Sequence, residues 1–193
     1  VFGPDDSLAT RAASAKVLNA IATAVPELVQ GAADLSSSTD TTLKEFGNVT
    51  PDDHSGRNIF FGVREHAMGA IVNAMVLHGG FRAVGSTFLQ FFDYMKNTVR
   101  LAALMEIGSI FVYTHDSVAL GEDGPTHQPI EHLAALRSIP NCVVLRPADA
   151  NETSQSWKIA LERQAGPTVL VLTRQTVQPL PVTPRVAQGA YVV

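Results

Sequence analysis

Residues 114–129 read THDSVALGEDGPTHQP, a stretch that holds two histidines, three carboxylates, two glycines and two prolines. Imidazoles titrate near neutral pH, so His115 and His127 can pass protons, while Asp116, Glu122 and Asp123 can accept hydrogen bonds from a small ligand. Gly121 and Gly124 allow positive φ, and Pro125 and Pro129 stiffen the turns around His127. So dense a mixture of acid–base groups and backbone punctuation is poor core material, and it reads as a ligand-facing loop. Several familiar chemistries are excluded. His115-Asp116 and Glu122-Asp123 with His127 are weighed as metal ligands, but there is no HExxH helix and no Cys/His cluster, so no metal site is expected in this chain. The His-Asp pair of metal-dependent phosphohydrolases belongs to an all-helical fold, which the rest of the sequence contradicts. No GxxxxGK[ST], GxGxxG or GxSxG segment is present.

The elements that must position this loop alternate between strand-like and helical segments. Residues 8–24 carry apolar side chains at helical spacing and Pro26 ends the run; 28–31 reads as a strand, and 32–56 as a long polar connection. Strand patterns follow at 58–63, 81–84, 109–113, 142–145 and 168–173. Helical patterns fall at 64–78, closed by Gly79-Gly80, and at about 87–105, 130–138 and 151–163. Apolar strands separated by helices imply an α/β fold: three layers, a mostly parallel sheet of about six strands, and helices on both faces. In such sheets ligands gather outside the carboxyl ends of the strands. That edge should carry Asp34, the segment 62–66, the segment 85–88, the loop 114–127, Arg146 to Asp149, and Arg174-Gln175.

The chain of 193 residues is 46% hydrophobic and 17% charged, enough for one domain with a sizeable core. Its net charge is −4 with scattered basic residues, which excludes a nucleic-acid-binding stripe. No apolar run reaches the length of a membrane span and no signal peptide is visible, so no membrane partner and a cytoplasmic location are expected. Cys142, the single cysteine, reads as a buried strand thiol. The chain begins without methionine, carries three prolines between 178 and 184, and stops at Tyr191-Val192-Val193 on what looks like an incoming strand. It therefore reads as a piece from the middle of something longer: a domain over 1–177 and a linker over 178–193 leading toward an absent C-terminal domain.

Further motifs carry a family resemblance. FFGVREHAMGA (60–70), TFLQFFDY (87–94), the 114–129 loop, RPADANE (146–152) and LTRQ (172–175) occur in order, and together they resemble the central pyrimidine-binding domain of transketolases, members of the thiamine-diphosphate enzyme superfamily. The resemblance runs from about residue 9 to 175, and GEDGPTHQP after THDS is particular to transketolase-like sequences.

That resemblance implies an activity, a cofactor and a set of roles. The full enzyme would transfer a two-carbon ketol unit from a ketose phosphate to an aldose phosphate, in carbohydrate metabolism and the pentose phosphate pathway. Glu65 takes the place of the glutamate that hydrogen-bonds the aminopyrimidine of thiamine diphosphate and so activates it. Phe88, Phe91 and Tyr94 match the aromatic pocket for that ring, on what is expected to be one helical face, and Asp34 matches a carboxylate near the cofactor. Arg11, Ser38 and Arg174 match the groups that hold the sugar phosphate, and Asp123 the residue that reads the C2 hydroxyl. His115 and His127 match histidines that bind the donor and assist proton transfer. The segment LSSSTD after Asp34 departs from the family pattern, which bears most on Ser38. The diphosphate and its Mg2+ would sit on a preceding domain, supplied by the second subunit of a homodimer, so the isolated chain should be inactive and bind the cofactor weakly. Alternative readings are the same domain of a related enzyme such as deoxyxylulose-phosphate synthase, or a non-catalytic binding or dimerisation module.

Overall fold

A computed structural model describes residues 2, 3, 5–181, 183–189 and 191 of the chain. Six parallel strands form the central sheet: β2 (Leu28–Ala32), β3 (Asn58–Phe60), β4 (Arg82–Phe88), β5 (Ile110–Thr114), β6 (Val143–Leu145) and β7 (Thr168–Val171). Their order is β3-β2-β4-β5-β7-β6. β5 is central, and its IFVYT sequence is β-branched and aromatic throughout, as a strand covered on both faces must be. Alternation sends Phe111 and Tyr113 to one face and Ile110 and Val112 to the other, and each pair joins a separate buried cluster. All parallel strands end at one edge, as expected, and the α/β architecture matches the sequence reading.

Helices α3 (Glu65–His78), α4 (Phe92–Leu104) and α5 (His132–Arg137) cover the first face; α1 (Thr10–Ala24) and α6 (Ala150–Glu162) cover the second. α3 and α4 approach closely because Gly69 has no side chain: a Cβ there would lie 2.2 Å from the Thr98 hydroxyl. On the opposite face the Trp157 indole N–H donates to Ser14 Oγ at 2.8 Å, which satisfies the one polar atom of the largest buried side chain. A four-residue helix, α2 (Ser36–Thr39), lies within the connection read as long and polar.

Several boundaries differ from the sequence reading; the strands read over 58–63 and 168–173, for example, end at Phe60 and Val171. Residues 8 and 9 are not helical: β1 (Leu8–Ala9) pairs antiparallel with β8 (Thr176–Val177), so α1 starts at Thr10. β4 continues past 84 to Phe88, because Gly85 and Ser86 are paired with both β2 and β5, and Thr87 and Phe88 with β5. Their polar composition looks like a strand exit, yet the buried Ser86 hydroxyl is satisfied by Thr41 Oγ1 at 2.7 Å and the Gly31 carbonyl at 3.2 Å. The helix expected from about 87 is therefore a 3-10 turn, Leu89–Phe91, followed by α4. Cys142 is half-buried one residue ahead of β6 rather than in it, and burial pushes its thiol up to about 11.

The residues read as a linker begin immediately after β8. Their described part lies on α6: the Leu180 N–H donates to Asp149 Oδ2 at 2.9 Å, and Val186 is buried within the 3-10 turn Pro184–Gln188. Of the incoming strand expected at 191–193, Tyr191 is not in a strand, and Val192 and Val193 fall outside the described residues.

Candidate active site

Glu65 reaches the site through a sharp exit from β3. Gly62 takes φ +66°, the Arg64 guanidinium donates to the Phe61 carbonyl at 2.9 Å, and α3 opens on Glu65 with the carboxylate at its positive end. Glu65 is 7% exposed and lines a cavity of about 530 Å³ together with Ala33, Asp34, Leu35, Val63, Phe91, Tyr94 and His127. Three other clefts, two beside α1 and one beside β6, are as large or larger but are lined by no histidine. Chemistry, not volume, singles out the first. Its rim is open, since Val63 is 75% and Tyr94 64% exposed.

The aromatic wall exists, but not on one helical face. Phe88 ends β4, Phe91 ends the 3-10 turn and Tyr94 lies in the first turn of α4. Phe88 and Phe91 stack at 5.8 Å between centroids and 8° between planes, and Phe91 meets Tyr94 at 6.2 Å. His127 stands edge-on to Phe91 at 5.3 Å. A flat heteroaromatic ring with a nitrogen facing Glu65 fits such a lining of one carboxylate, aromatic faces and an imidazole. Asp34 contributes from the end of β2 in the left-handed region at φ +63°, where aspartate is tolerated.

The second half of the site surrounds His115. This residue follows β5 with φ +58°, is 3% exposed, and lies 3.7 Å from Phe88 between ring centroids, stacked at 27°. Thr114 Oγ1 contacts its Nδ1 at 2.8 Å. Burial, then the positive field of Arg11, lowers its pKa to about 4, with Asp123 opposing and Arg174 and His127 reinforcing the shift. His115 is thus a neutral hydrogen-bonding group at pH 7. Arg11, Arg174, Asp123 and His127 all act on this one imidazole.

Arg11 and Arg174 are brought together by their neighbours. The Thr10 N–H donates to Thr173 Oγ1 at 2.9 Å, the Thr173 N–H donates to Thr10 Oγ1 at 2.7 Å, and the two hydroxyls meet at 3.2 Å. This clasp closes the first turn of α1 onto the end of β7, and the residue after each threonine is one of the arginines. The Arg11 guanidinium also donates to the Ser38 carbonyl and lies 3.9 Å from Asp40. Ser38 is thereby brought to the site edge, through its backbone. Gly121, at φ +104°, lies under Arg174, where a Cβ would come within 2.9 Å of Nη1. Two guanidiniums beside a neutral imidazole and a carboxylate are suited in chemistry to an anionic, hydroxyl-bearing ligand.

All eleven site residues anticipated from sequence lie at the carboxyl edge of the sheet. The Thr10–Thr173 clasp was not anticipated, because reciprocal threonines 163 residues apart leave no local pattern. The Asp116–Arg146 pair was missed as well: Arg146 Nε and Nη2 lie 2.8 and 2.7 Å from Oδ2 of the wholly buried Asp116 side chain, fixing the loop to the end of β6. Its only trace in sequence is the co-occurrence of THDS and RPAD.

Known proteins resemble this chain in sequence and in fold. Residues 6–179 match the sequence model of the transketolase pyrimidine-binding domain. A transketolase of Geobacillus stearothermophilus is 57% identical over 198 residues, which cover 100% of this chain and 30% of that protein. One from Mycobacterium leprae is 58% identical, over 96% of this chain and 28% of the relative. The solved transketolase of Pichia stipitis in complex with sedoheptulose 7-phosphate superposes with a TM-score of 0.96 at 46% identity, over 99% of this chain and 30% of that one. The Leishmania mexicana transketolase superposes with a TM-score of 0.95 at 45% identity, covering 98% of this chain and 29% of its own. The chain thus spans about three tenths of the length of these relatives.

Proposed function

This chain belongs to the transketolase pyrimidine-binding domain family, and on that premise we propose that it forms one half of a site that moves a two-carbon ketol unit from a ketose phosphate to an aldose phosphate. The observation that carries the reading is that Glu65 and His127 line one aromatic-walled cavity. Thiamine diphosphate, when bound, supplies the stabilised carbanion that such a transfer needs. Glu65 would hydrogen-bond the nitrogen of its aminopyrimidine, and Phe91 and Tyr94 would flank the ring, with Phe88 stacked behind Phe91 and Asp34 at the edge. His115 and His127 would hold the donor's oxygens and move protons there, Asp123 would read the C2 hydroxyl, and Arg11, Arg174 and Ser38 would hold the phosphate.

Among the described residues no lysine or arginine lines this cavity to hold a diphosphate with its Mg2+. Both would be held by a diphosphate-binding domain of a second subunit, and the exposed rim of Val63 and Tyr94 is the surface it would cover, giving a homodimer. Residues 1–177 would be the pyrimidine domain and 178–193 the lead into a further domain. Among the described residues no helix is long and apolar enough to cross a membrane, and we place the enzyme in the cytoplasm, in the pentose phosphate pathway. Alone, this chain would be silent and would bind the cofactor weakly.

The test is Glu65→Gln in the whole polypeptide, with turnover of xylulose 5-phosphate and ribose 5-phosphate measured beside cofactor affinity. Loss of a proton-handling carboxylate should lower kcat by roughly 10²–10⁴. A variant that keeps most of its turnover, or transfer by the isolated chain, would refute the assignment.

A further inference from the structure

On the flank of the aromatic wall, away from Glu65 and His115, lies a histidine that the activity above does not use. His132 opens α5 and is 2% exposed, yet neither of its ring nitrogens has a hydrogen-bond partner among the described residues. Buried polar atoms are almost always paired, so an imidazole with both nitrogens unengaged calls for a ligand. Its Nε2 faces Asp93 Oδ1 at 3.3 Å, off the line of a hydrogen bond, and Glu131 precedes it in the chain. One ligand atom from each of Asp93, Glu131 and His132 lies within 4.8 Å of the others.

We propose that Asp93, Glu131 and His132 bind a divalent transition cation of the zinc class. Ligand atoms on a tetrahedral zinc at its usual bond lengths are separated by about 3.3–3.4 Å, which is the spacing found between His132 and Asp93. One imidazole with two carboxylates suits zinc or cobalt, whereas magnesium and calcium prefer oxygen alone. The histidine is fixed by burial. The carboxylates are mobile and reachable: the Asp93 side chain is 53% exposed and Glu131 is exposed, so the ion has an open path and the carboxylates can close on it. Three protein ligands leave a fourth position for water. Asp93 sits between Phe91 and Tyr94 in the first turn of α4, and His132 follows the 114–129 loop by three residues. A bound ion would tie the aromatic wall to the end of that loop.

The test is equilibrium dialysis of the 193-residue chain, stripped with chelator and returned to Zn2+, repeated with Co2+ for its visible spectrum. A single equivalent should bind. His132→Gln and Asp93→Asn should each weaken binding by at least the roughly tenfold that loss of a mere outer-shell partner produces, with far-UV circular dichroism showing both folded. Should His132→Gln fail to fold, Glu131→Gln, on an exposed side chain, takes its place. No binding by the unaltered chain, or undiminished binding in either variant, overturns the site.

Discussion

Thr173→Val should cost the domain about 2–4 kcal/mol, and the clasp geometry shows where that comes from. Valine keeps the shape and removes Oγ1. The Thr10 N–H, one of the first-turn donors that no helix can satisfy internally, then loses its acceptor at 2.9 Å in a place with no solvent exposure. An orphaned buried donor costs roughly 1–3 kcal/mol, and the bond from Thr173 Oγ1 to the Gln175 carbonyl, at 2.9 Å, is worth about 1 more. Thr10→Val should cost a similar amount, since it strips the acceptor from the Thr173 N–H at 2.7 Å. The hydroxyl–hydroxyl contact at 3.2 Å is shared, so the double variant should fall short of additivity by about 1 kcal/mol. Urea unfolding of the four proteins at constant m measures all three quantities. In the whole polypeptide the same variants should raise the KM for sugar phosphate with little change in kcat, because they disturb the spacing of Arg11 and Arg174 only. A Thr173→Val cost below about 0.5 kcal/mol, or strict additivity of the pair, would show that the clasp does not hold the two arginines.

Two further outcomes follow from the same edge. With the pKa of His115 lowered to about 4, the unfolded chain takes up a proton between its ordinary value and pH 4 that the folded chain refuses, so stability present above about pH 6.5 is lost as the pH falls toward 4. The loss attributable to this residue is at most about 3 kcal/mol and should vanish in His115→Gln; an imidazole that titrates above pH 6 by NMR would refute it. Gly121→Ala places a side chain at φ +104° and ψ −144°, a region nearly reserved for glycine, and 2.9 Å from Arg174 Nη1. Weaker sugar-phosphate binding and a strain of about 1–3 kcal/mol are expected, and a variant matching the parent in both calorimetry and KM would contradict the packing described.

The carboxyl edge was legible in sequence because each strand there ends on residue types that a core rejects. Glu65 after FFGVR and the histidines among glycines and prolines are recognisable without coordinates, and the alternation of apolar runs gives the parallel sheet. Element limits were less legible wherever burial overrode composition. Gly85-Ser86-Thr87 looks like a turn and is strand, since the Thr41 hydroxyl and the Gly31 carbonyl engage the Ser86 hydroxyl and remove the penalty of burying it. The aromatic wall was anticipated from the family resemblance and expected on one helical face, yet Phe88, Phe91 and Tyr94 come from three consecutive elements, with Phe88 and Phe91 stacked and Tyr94 tilted against Phe91. His132 and Asp93 are 39 residues apart in the chain, and no local pattern announces that they meet.

The pairing of β1 with β8 carries a consequence of its own. Leu8 lies opposite Val177, and the Ser7 hydroxyl donates to Gln178 Oε1 at 3.1 Å, so the polypeptide enters and leaves through one doorway. A unit built this way can be spliced into a longer polypeptide, or removed from it, without any strand of its sheet being rethreaded. The same doorway invites circular permutation: a short peptide could join Ser7 to Gln178 and new ends be opened at the exposed Gly79-Gly80 turn, leaving the carboxyl edge intact.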